Sequence, residues 1–219
     1  MKLKRRVIIA HGWRDSPANA WIDWLRVELE ARGFEVTVPV LPNPTLPRLG
    51  KWLATLINAV GELDSQTTLV AYSLGTPITL RLLDNYPKDV KIAGLVLVAG
   101  FGDGIRDRPG ALFSPPLDFD RIKGRAKLRV VIYSDNDPIV PTKRSQQMAV
   151  LLGAREVMVI GGRHFLGSKR LPGSAATIPA ALEAVLSAYP PSLQERIAKG
   201  LRWVIWWRRG KMRRTKEHT

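Results

Sequence analysis

The sequence predicts an α/β fold in which a mostly parallel sheet is covered by helices on both faces. Six short runs rich in valine and isoleucine alternate with segments whose apolar residues recur at three- and four-residue spacing. Continuous apolar strands that alternate with amphipathic helices are typical of a parallel sheet buried on both sides. Since crossovers between parallel strands are right-handed, the loops after the strands should share one edge of the sheet, where ligands bind.

These patterns predict the following strands and helices. The strands cover residues 5–10, 35–40, 67–72, 92–99, 128–134 and 155–160. The helices cover residues 20–32, 47–62, 75–86, 142–152 and about 174–188. Together they predict one domain over residues 1–190, followed by a basic tail over residues 191–219. The Gly- and Pro-rich segment 101–120 interrupts the alternation, and a loop of this length in a compact domain is usually functional or mobile.

The composition narrows the classes of protein that fit this chain. It has 219 residues with 45% hydrophobic content, enough to bury a sizeable core. It has no cysteine, which excludes disulfides and thiolate metal sites and fits a reducing cytoplasm. The apolar run at residues 7–10 is shorter than the roughly 7–15 residues of a secretory signal, and no stretch approaches a membrane span of about 18 residues. We therefore expect a cytoplasmic protein. We also expect that it uses no metal and no cofactor.

One serine follows a predicted buried strand and precedes a predicted helix. The segment reads Ala71-Tyr72-Ser73-Leu74-Gly75, which matches the Gly-x-Ser-x-Gly elbow of a nucleophilic serine except that alanine replaces the first glycine. Alanine is still small enough for strand and helix to approach closely. A turn with a helix-capping serine explains the five residues equally well, so the interpretation depends on partners elsewhere in the chain.

A nucleophilic serine needs a base, and the base needs an acid to orient it. The chain has three histidines. His164 follows the last strand, which is where the base lies when the three residues occur along the chain in the order Ser, Asp, His. His11 is predicted to be structural, and His218 lies in the tail. The segment YSDNDPIVP after the fifth strand offers Asp135 and Asp137 as the acid. We favour Asp137 because it opens an Asp-Pro-x-Val-Pro pattern.

The third requirement is a pair of backbone N–H groups that hold the oxyanion. One donor is predicted to be the amide of Leu74, directly after the serine. The other is predicted to be the amide of Trp13, because the His11-Gly12 pair lets the first loop turn toward the serine.

Five motifs together resemble one family. They are HGWRDSPANAWIDWL at residues 11–25, the proline-rich VPVLPNPTLPRLGKW at residues 38–52, the serine elbow, the Asp-Pro-x-Val-Pro loop and the Gly-Gly-x-His-Phe segment. The chain is similar over about residues 5–188 to the small serine hydrolases that include retinoblastoma-binding protein 9 and YdeN-like proteins, within the α/β-hydrolase superfamily. The resemblance implies a three-layer sandwich with strand order 2-1-3-4-5-6.

The same resemblance implies an activity. We expect hydrolysis of a carboxylic ester or related acyl compound, in which Ser73 attacks, His164 transfers the proton and Asp137 orients His164. The competing class is a non-catalytic binding protein built on the same fold, with the basic tail as its contact to a membrane or protein partner.

The chain departs from the family pattern in several places. Tyr72 stands where the elbow often has histidine, and Arg163 precedes His164 where glycine is usual, so we expect the histidine loop to differ. Segment 101–120 has no counterpart in the pattern. We expect it to form a mobile lid over Ser73 whose apolar side chains bind an acyl chain; those assigned to the substrate are Phe101, Leu112 and Phe113.

The tail carries much of the net charge of +15. Residues 192–209 predict a helix with a broad apolar face and flanking tryptophans, and nine Lys/Arg against two Glu lie between residues 194 and 219. Packing on the body or in a homodimer is one interpretation, and peripheral membrane contact through residues 192–214 is the other. Binding of nucleic acid is disfavoured because no recognised module accompanies the charge.

Truncation after Pro190 should separate these interpretations while leaving ester hydrolysis intact, because Ser73, Asp137 and His164 all precede the cut. If the helix is interfacial, the full chain should bind anionic vesicles, and salt should weaken that binding because each Lys/Arg contributes about 1 kcal/mol near the surface. If the helix forms a dimer, truncation should lower the mass measured by sedimentation from that of a dimer to that of a monomer. A truncated protein that keeps the same oligomeric state, remains soluble and does not differ from the full chain in vesicle binding would contradict both interpretations.

Overall fold

The computed structural model describes residues 4–87, 89–102 and 116–190, and the compact unit to which the elements below belong spans Met1–Ala188. The strands are β1 (Arg6–Ala10), β2 (Glu35–Thr37), β3 (Thr67–Tyr72), β4 (Ile92–Val98), β5 (Ala126–Ser134) and β6 (Arg155–Val159). The helices are α1 (Ala20–Glu30), α2 (Leu49–Val60), α3 (Gly75–Asn85), α4 (Phe119–Gly124), α5 (Thr142–Leu152) and α6 (Pro179–Ser187).

The strands form one sheet in the order β2-β1-β3-β4-β5-β6, and every neighbouring pair is parallel. This confirms the predicted order. Ala10 lies opposite Ala71, and Tyr72 lies opposite Val98, so β1, β3 and β4 end at the same level. Because all the strands run in one direction, the loops that follow them meet at one edge of the sheet.

Helices cover both faces of the sheet, giving three layers. Side chains alternate between the faces along each strand. Alternate residues such as Ala71 and Leu97 join a cluster with apolar residues of α2, α3, α4 and α5. On the other face, the Tyr72 ring packs edge-on against Trp21 of α1, with their centroids 5.5 Å apart. Helix α6 packs against α1, β4 and β5.

Several element boundaries differ from those predicted. Strand β2 ends at Thr37 instead of residue 40, because Pro39 has no N–H to give to a ladder. Helix α4 was not predicted; the side chain of Asp118 caps it by accepting a hydrogen bond from the N–H of Arg121 at 2.9 Å. Helix α6 begins at Pro179 instead of about residue 174, because Ala175 bonds to the histidine loop: its N–H donates to the carbonyl of Gly162 at 3.3 Å.

Other predictions fall outside the described residues. These are Leu112, Phe113 and the tail helix over residues 192–209. Among the helices of the described ranges, none has the length and apolar character that crossing a membrane would require.

The proline-rich loop after β2 is anchored by two buried side chains. The N–H of Leu41 donates to His11 Nε2 at 3.1 Å, so the ring proton is on Nδ1, which lies 3.0 Å from the carbonyl oxygen of Gly12. The indole N–H of Trp52 donates to the carbonyl of Pro42 at 2.7 Å, and its ring packs edge-on against His11. His11 therefore joins the loop after β1 to the loop after β2.

This arrangement predicts a pH-dependent stability. Burial lowers the pKa of His11, and a proton on Nε2 would face the N–H of Leu41. Neutral His11 should contribute fully to the free energy of unfolding above about pH 6.5, the pKa of histidine in the unfolded chain. As the pH falls below that value, the contribution should decline by up to about 1.4 kcal/mol per pH unit. Urea unfolding of wild type and of His11→Gln between pH 5 and pH 8 would measure it. Identical pH slopes for the two proteins would contradict this role.

Candidate active site

Ser73 occupies the turn between β3 and α3 in a strained conformation. Its φ is +50°, in the left-handed region that costs a side chain-bearing residue about 1–2 kcal/mol. Its N–H donates to the carbonyl of Val98 at 2.9 Å, and its own carbonyl accepts from the N–H of Thr76 at 3.0 Å. The backbone on both sides therefore holds the serine in this conformation, and strain of this kind is common at functional sites.

Gly75 allows α3 to begin directly beside the end of β1. A Cβ at this position would lie 2.6 Å from the carbonyl oxygens of both Ala10 and His11. Because those oxygens belong to the backbone, displacing them would distort the chain and cost more energy than rotating a side chain. The last glycine of the elbow is therefore required by packing, whereas the first position accepts the buried Ala71.

His164 lies between Ser73 and Asp137. Its Nε2 is 3.0 Å from Ser73 Oγ, and its Nδ1 is 2.7 Å from Asp137 Oδ2. The carboxylate can only accept, so Nδ1 carries the proton and Nε2 is left to accept from the serine hydroxyl. All three residues lie in loops after strands of the sheet, and the His164 and Asp137 side chains are almost completely buried.

The two aspartates of the loop after β5 have different contacts. Asp137 directs one carboxylate oxygen to His164, and the other accepts from the N–H groups of Ile139 at 2.8 Å and Val140 at 3.0 Å. Asp135 instead accepts from the N–H of Gly161 at 2.7 Å. Of the two candidates, Asp137 is the one that contacts the histidine ring, while Asp135 secures the start of the loop that carries it.

The loop that carries His164 is strained on both sides of the histidine. Arg163 has a φ of +51° and Phe165 a φ of +56°. The N–H of Arg163 donates to Asn136 Oδ1 at 2.8 Å. Arg163 thus adopts a conformation that glycine would adopt freely, and the loop brings His164 to Ser73 although position 163 is not glycine.

The loop after β1 approaches the serine closely. A Cβ at Gly12 would lie 3.0 Å from Ser73 Cβ, so this position must stay small. Trp13 follows Gly12, and Leu74 follows the serine as the residue that caps α3. Within the described ranges, neither the Trp13 nor the Leu74 amide donates a hydrogen bond to another residue.

The proline-rich loop fixes the course of this first loop. The indole N–H of Trp13 donates to the carbonyl of Thr45 at 3.0 Å, and the backbone N–H of Arg14 donates to the carbonyl of Pro44 at 2.7 Å. The guanidinium group of Arg14 lies over the Trp13 ring, 4.6 Å from its centroid. The proline-rich loop therefore acts on the site indirectly, through backbone carbonyls that bind the two residues after Gly12.

An ion pair that the sequence did not reveal links the first loop to the last. The buried Asp15 accepts from Arg170 Nη1 at 2.8 Å and from the side-chain amide of Asn19 at 2.8 Å. Arg170 Nη2 also donates to the carbonyl of Arg14 at 2.6 Å. These partners are 155 residues apart along the chain, and no local pattern pairs them.

The predicted substrate contacts have less structural support. Phe101 follows β4, and only 1% of its surface is exposed, so its side chain is packed in the interior. Leu112 and Phe113, as noted above, are not among the described residues. Binding of an acyl chain by these three side chains stays a prediction.

The chain is similar to known proteins over most of its length. Residues 7–171 match the serine hydrolase family. YdeN of Bacillus subtilis is 36% identical over 166 residues, covering 75% of this chain and 87% of that protein. Serine hydrolase RBBP9 of Rattus norvegicus is 25% identical over 166 residues, covering 74% and 87% respectively. The crystal structure of the B. subtilis ydeN gene product superposes with a TM-score of 0.78 at 33% identity, covering 85% of this chain and 99% of that one.

The two aspartates of one loop offer a matched pair of variants. Asp137→Asn should lower kcat by about 10⁴-fold, as expected when the orienting acid of a histidine is replaced by an amide. Asp135→Asn should have little effect, because the amide oxygen can still accept from the N–H of Gly161. Steady-state hydrolysis of p-nitrophenyl butyrate measures both. The opposite order of losses would contradict the contacts described here.

Proposed function

Since the chain belongs to the serine hydrolase family, we propose that it cleaves a carboxylic ester or related acyl compound through an acyl intermediate on Ser73. One observation carries this proposal: Ser73, His164 and Asp137 are joined in series by hydrogen bonds of 3.0 and 2.7 Å. A serine, a base and an orienting acid within hydrogen-bond reach constitute the arrangement that activates a hydroxyl.

The first half of the proposed reaction acylates the serine. Ser73 Oγ attacks the substrate carbonyl carbon while His164 Nε2 takes the hydroxyl proton. Asp137 stabilises the resulting imidazolium through its bond to Nδ1. When the tetrahedral intermediate collapses, the bond to the leaving oxygen breaks, and His164 returns the proton to that oxygen. An alcohol departs and an ester on Ser73 remains.

The second half hydrolyses that ester. Water takes the place of the alcohol, His164 removes its proton, and the resulting hydroxide attacks the acyl carbon. Collapse of the second tetrahedral intermediate breaks the bond to Ser73 Oγ, which recovers its proton from His164. The products are a carboxylic acid and the free serine.

Both tetrahedral intermediates place negative charge on the former carbonyl oxygen. The amides of Leu74 and Trp13 are the proposed donors, and a donor of this kind contributes about 3–4 kcal/mol to transition-state stabilisation. What supports the Trp13 amide as a donor is the close approach of its neighbour Gly12 to Ser73. The amide of Leu74 has the further advantage of lying at the N-terminus of α3, where the helix dipole favours an anion.

The strain at Ser73 also favours catalysis over mere binding. Catalysis requires a serine beside a buried histidine–aspartate pair, as found at Ser73, whereas a binding surface does not require that combination. Strained residues persist where the surrounding structure imposes them, and at functional sites the strain often serves preorganisation.

A fluorophosphonate probe tests the proposal, because it labels only activated serines readily. Wild type should be labelled on Ser73, and Ser73→Ala should lose both labelling and ester hydrolysis. Ser145→Ala is the matched control: Ser145 is also buried, but its hydroxyl donates to the carbonyl of Gly100 at 2.7 Å. Labelling that persists in Ser73→Ala, or that is absent from wild type, would contradict the proposal.

A further inference from the structure

Tyr72 joins the serine elbow directly to the histidine loop. It is the last residue of β3 and immediately precedes Ser73. Its hydroxyl donates a hydrogen bond of 2.5 Å to the backbone carbonyl of His164, 92 residues further along the chain. The side chain is buried, and its ring lies 5.3 Å from the imidazole centroid of His164. One side chain therefore contacts the candidate base and adjoins the candidate nucleophile.

The His164 backbone needs such a restraint. Its two neighbours, Arg163 and Phe165, both lie in the left-handed region, where residues with side chains stay only if the surrounding structure over-determines them. On one side of the histidine, Asn136 accepts from the N–H of Arg163. At the histidine itself, the hydroxyl of Tyr72 holds the carbonyl oxygen. These two bonds restrain the strained segment from the acid loop and from the elbow.

We infer that Tyr72 is a positioning residue whose hydroxyl holds the His164 backbone so that the imidazole stays within hydrogen-bond reach of Ser73. The inference deepens the function proposed above and rests on it. Tyr72 does not touch the reacting atoms; it acts through His164. Its effect should therefore fall on turnover and not on substrate binding.

The surroundings of Tyr72 suit this role. Burial, followed by the charges of Asp15 and Asp137, raises the pKa of its hydroxyl well above the usual value, so the group stays protonated and able to donate. Its ring also packs under the first loop, because a Cβ at Gly12 would lie 3.2 Å from Tyr72 Cδ1. Removing the hydroxyl but keeping the ring should therefore release the histidine loop and preserve the packing.

Tyr72→Phe makes this change. A displacement of a catalytic group by about 1 Å can cost about 100-fold in rate, so we expect kcat for p-nitrophenyl butyrate to fall about 10- to 100-fold, with KM nearly unchanged. Tyr86→Phe is the matched control. The Tyr86 hydroxyl also bonds a backbone group, accepting from the N–H of Leu63 at 2.9 Å, but it lies at the C-terminal end of α3, away from the elbow. Its kcat should equal that of wild type.

A second readout does not depend on turnover. The proton shared by His164 Nδ1 and Asp137 should give a low-field imidazole resonance, identified by its loss in His164→Gln. Tyr72→Phe should shift or broaden this resonance, and Tyr86→Phe should not. In the wild-type protein, the Tyr72 hydroxyl proton should exchange slowly with solvent, which tests the bond even if Tyr72→Phe fails to fold.

The outcomes are distinct. Reduced kcat with a perturbed resonance in Tyr72→Phe alone supports the inference. Wild-type kcat together with an unchanged resonance would overturn it, as would a rapidly exchanging Tyr72 hydroxyl in the wild-type protein. An equal loss of kcat in Tyr72→Phe and Tyr86→Phe would also overturn it, because the effect would then be general destabilisation. If wild type shows no hydrolysis that depends on Ser73, the proposed function fails, while the resonance still decides whether Tyr72 positions His164.

Discussion

The contact between Ser73 Oγ and His164 Nε2 is the interaction on which the candidate site depends. It joins the end of β3 to the loop after β6, although two strands of the sheet lie between them and 91 residues separate them in sequence. The loop that carries His164 is held by bonds from other parts of the chain. The intervening β5 supplies the support, since its loop follows the same edge of the parallel sheet and contacts the histidine loop at several points.

Those contacts explain why consecutive polar residues follow β5. The side chains of Asp135 and Asn136 accept hydrogen bonds from the N–H groups of Gly161 and Arg163. The carboxylate of Asp137 bonds to the imidazole of His164. Each therefore bonds a successively later part of the histidine loop. The elbow contributes from the other side through Tyr72, and the first loop contributes through the ion pair of Asp15 with Arg170. Ser73, Arg163 and Phe165 keep positive φ values because this network of hydrogen bonds, anchored on a buried sheet, holds their backbone in place.

Much of this architecture could be predicted from the sequence, because its signals are local. Runs of valine and isoleucine define buried strands, and the position of His164 after the last strand follows from chain order. The choice between Asp135 and Asp137 depended on a sequence pattern, because both lie in one loop and only side-chain direction distinguishes their contacts. The six-residue α4 is too short for periodicity to reveal. The contacts of Tyr72 with His164 and of Asp15 with Arg170 join distant parts of the chain, which no local pattern encodes.

The central claim is that Ser73 carries the acyl group during turnover. Its most direct test is mass spectrometry of the wild-type enzyme quenched in acid while it hydrolyses p-nitrophenyl butyrate, followed by digestion to locate any adduct. The account predicts one butyryl group per chain, attached to Ser73 and lost once the substrate is consumed. Sustained hydrolysis with the butyryl group on another residue would contradict it.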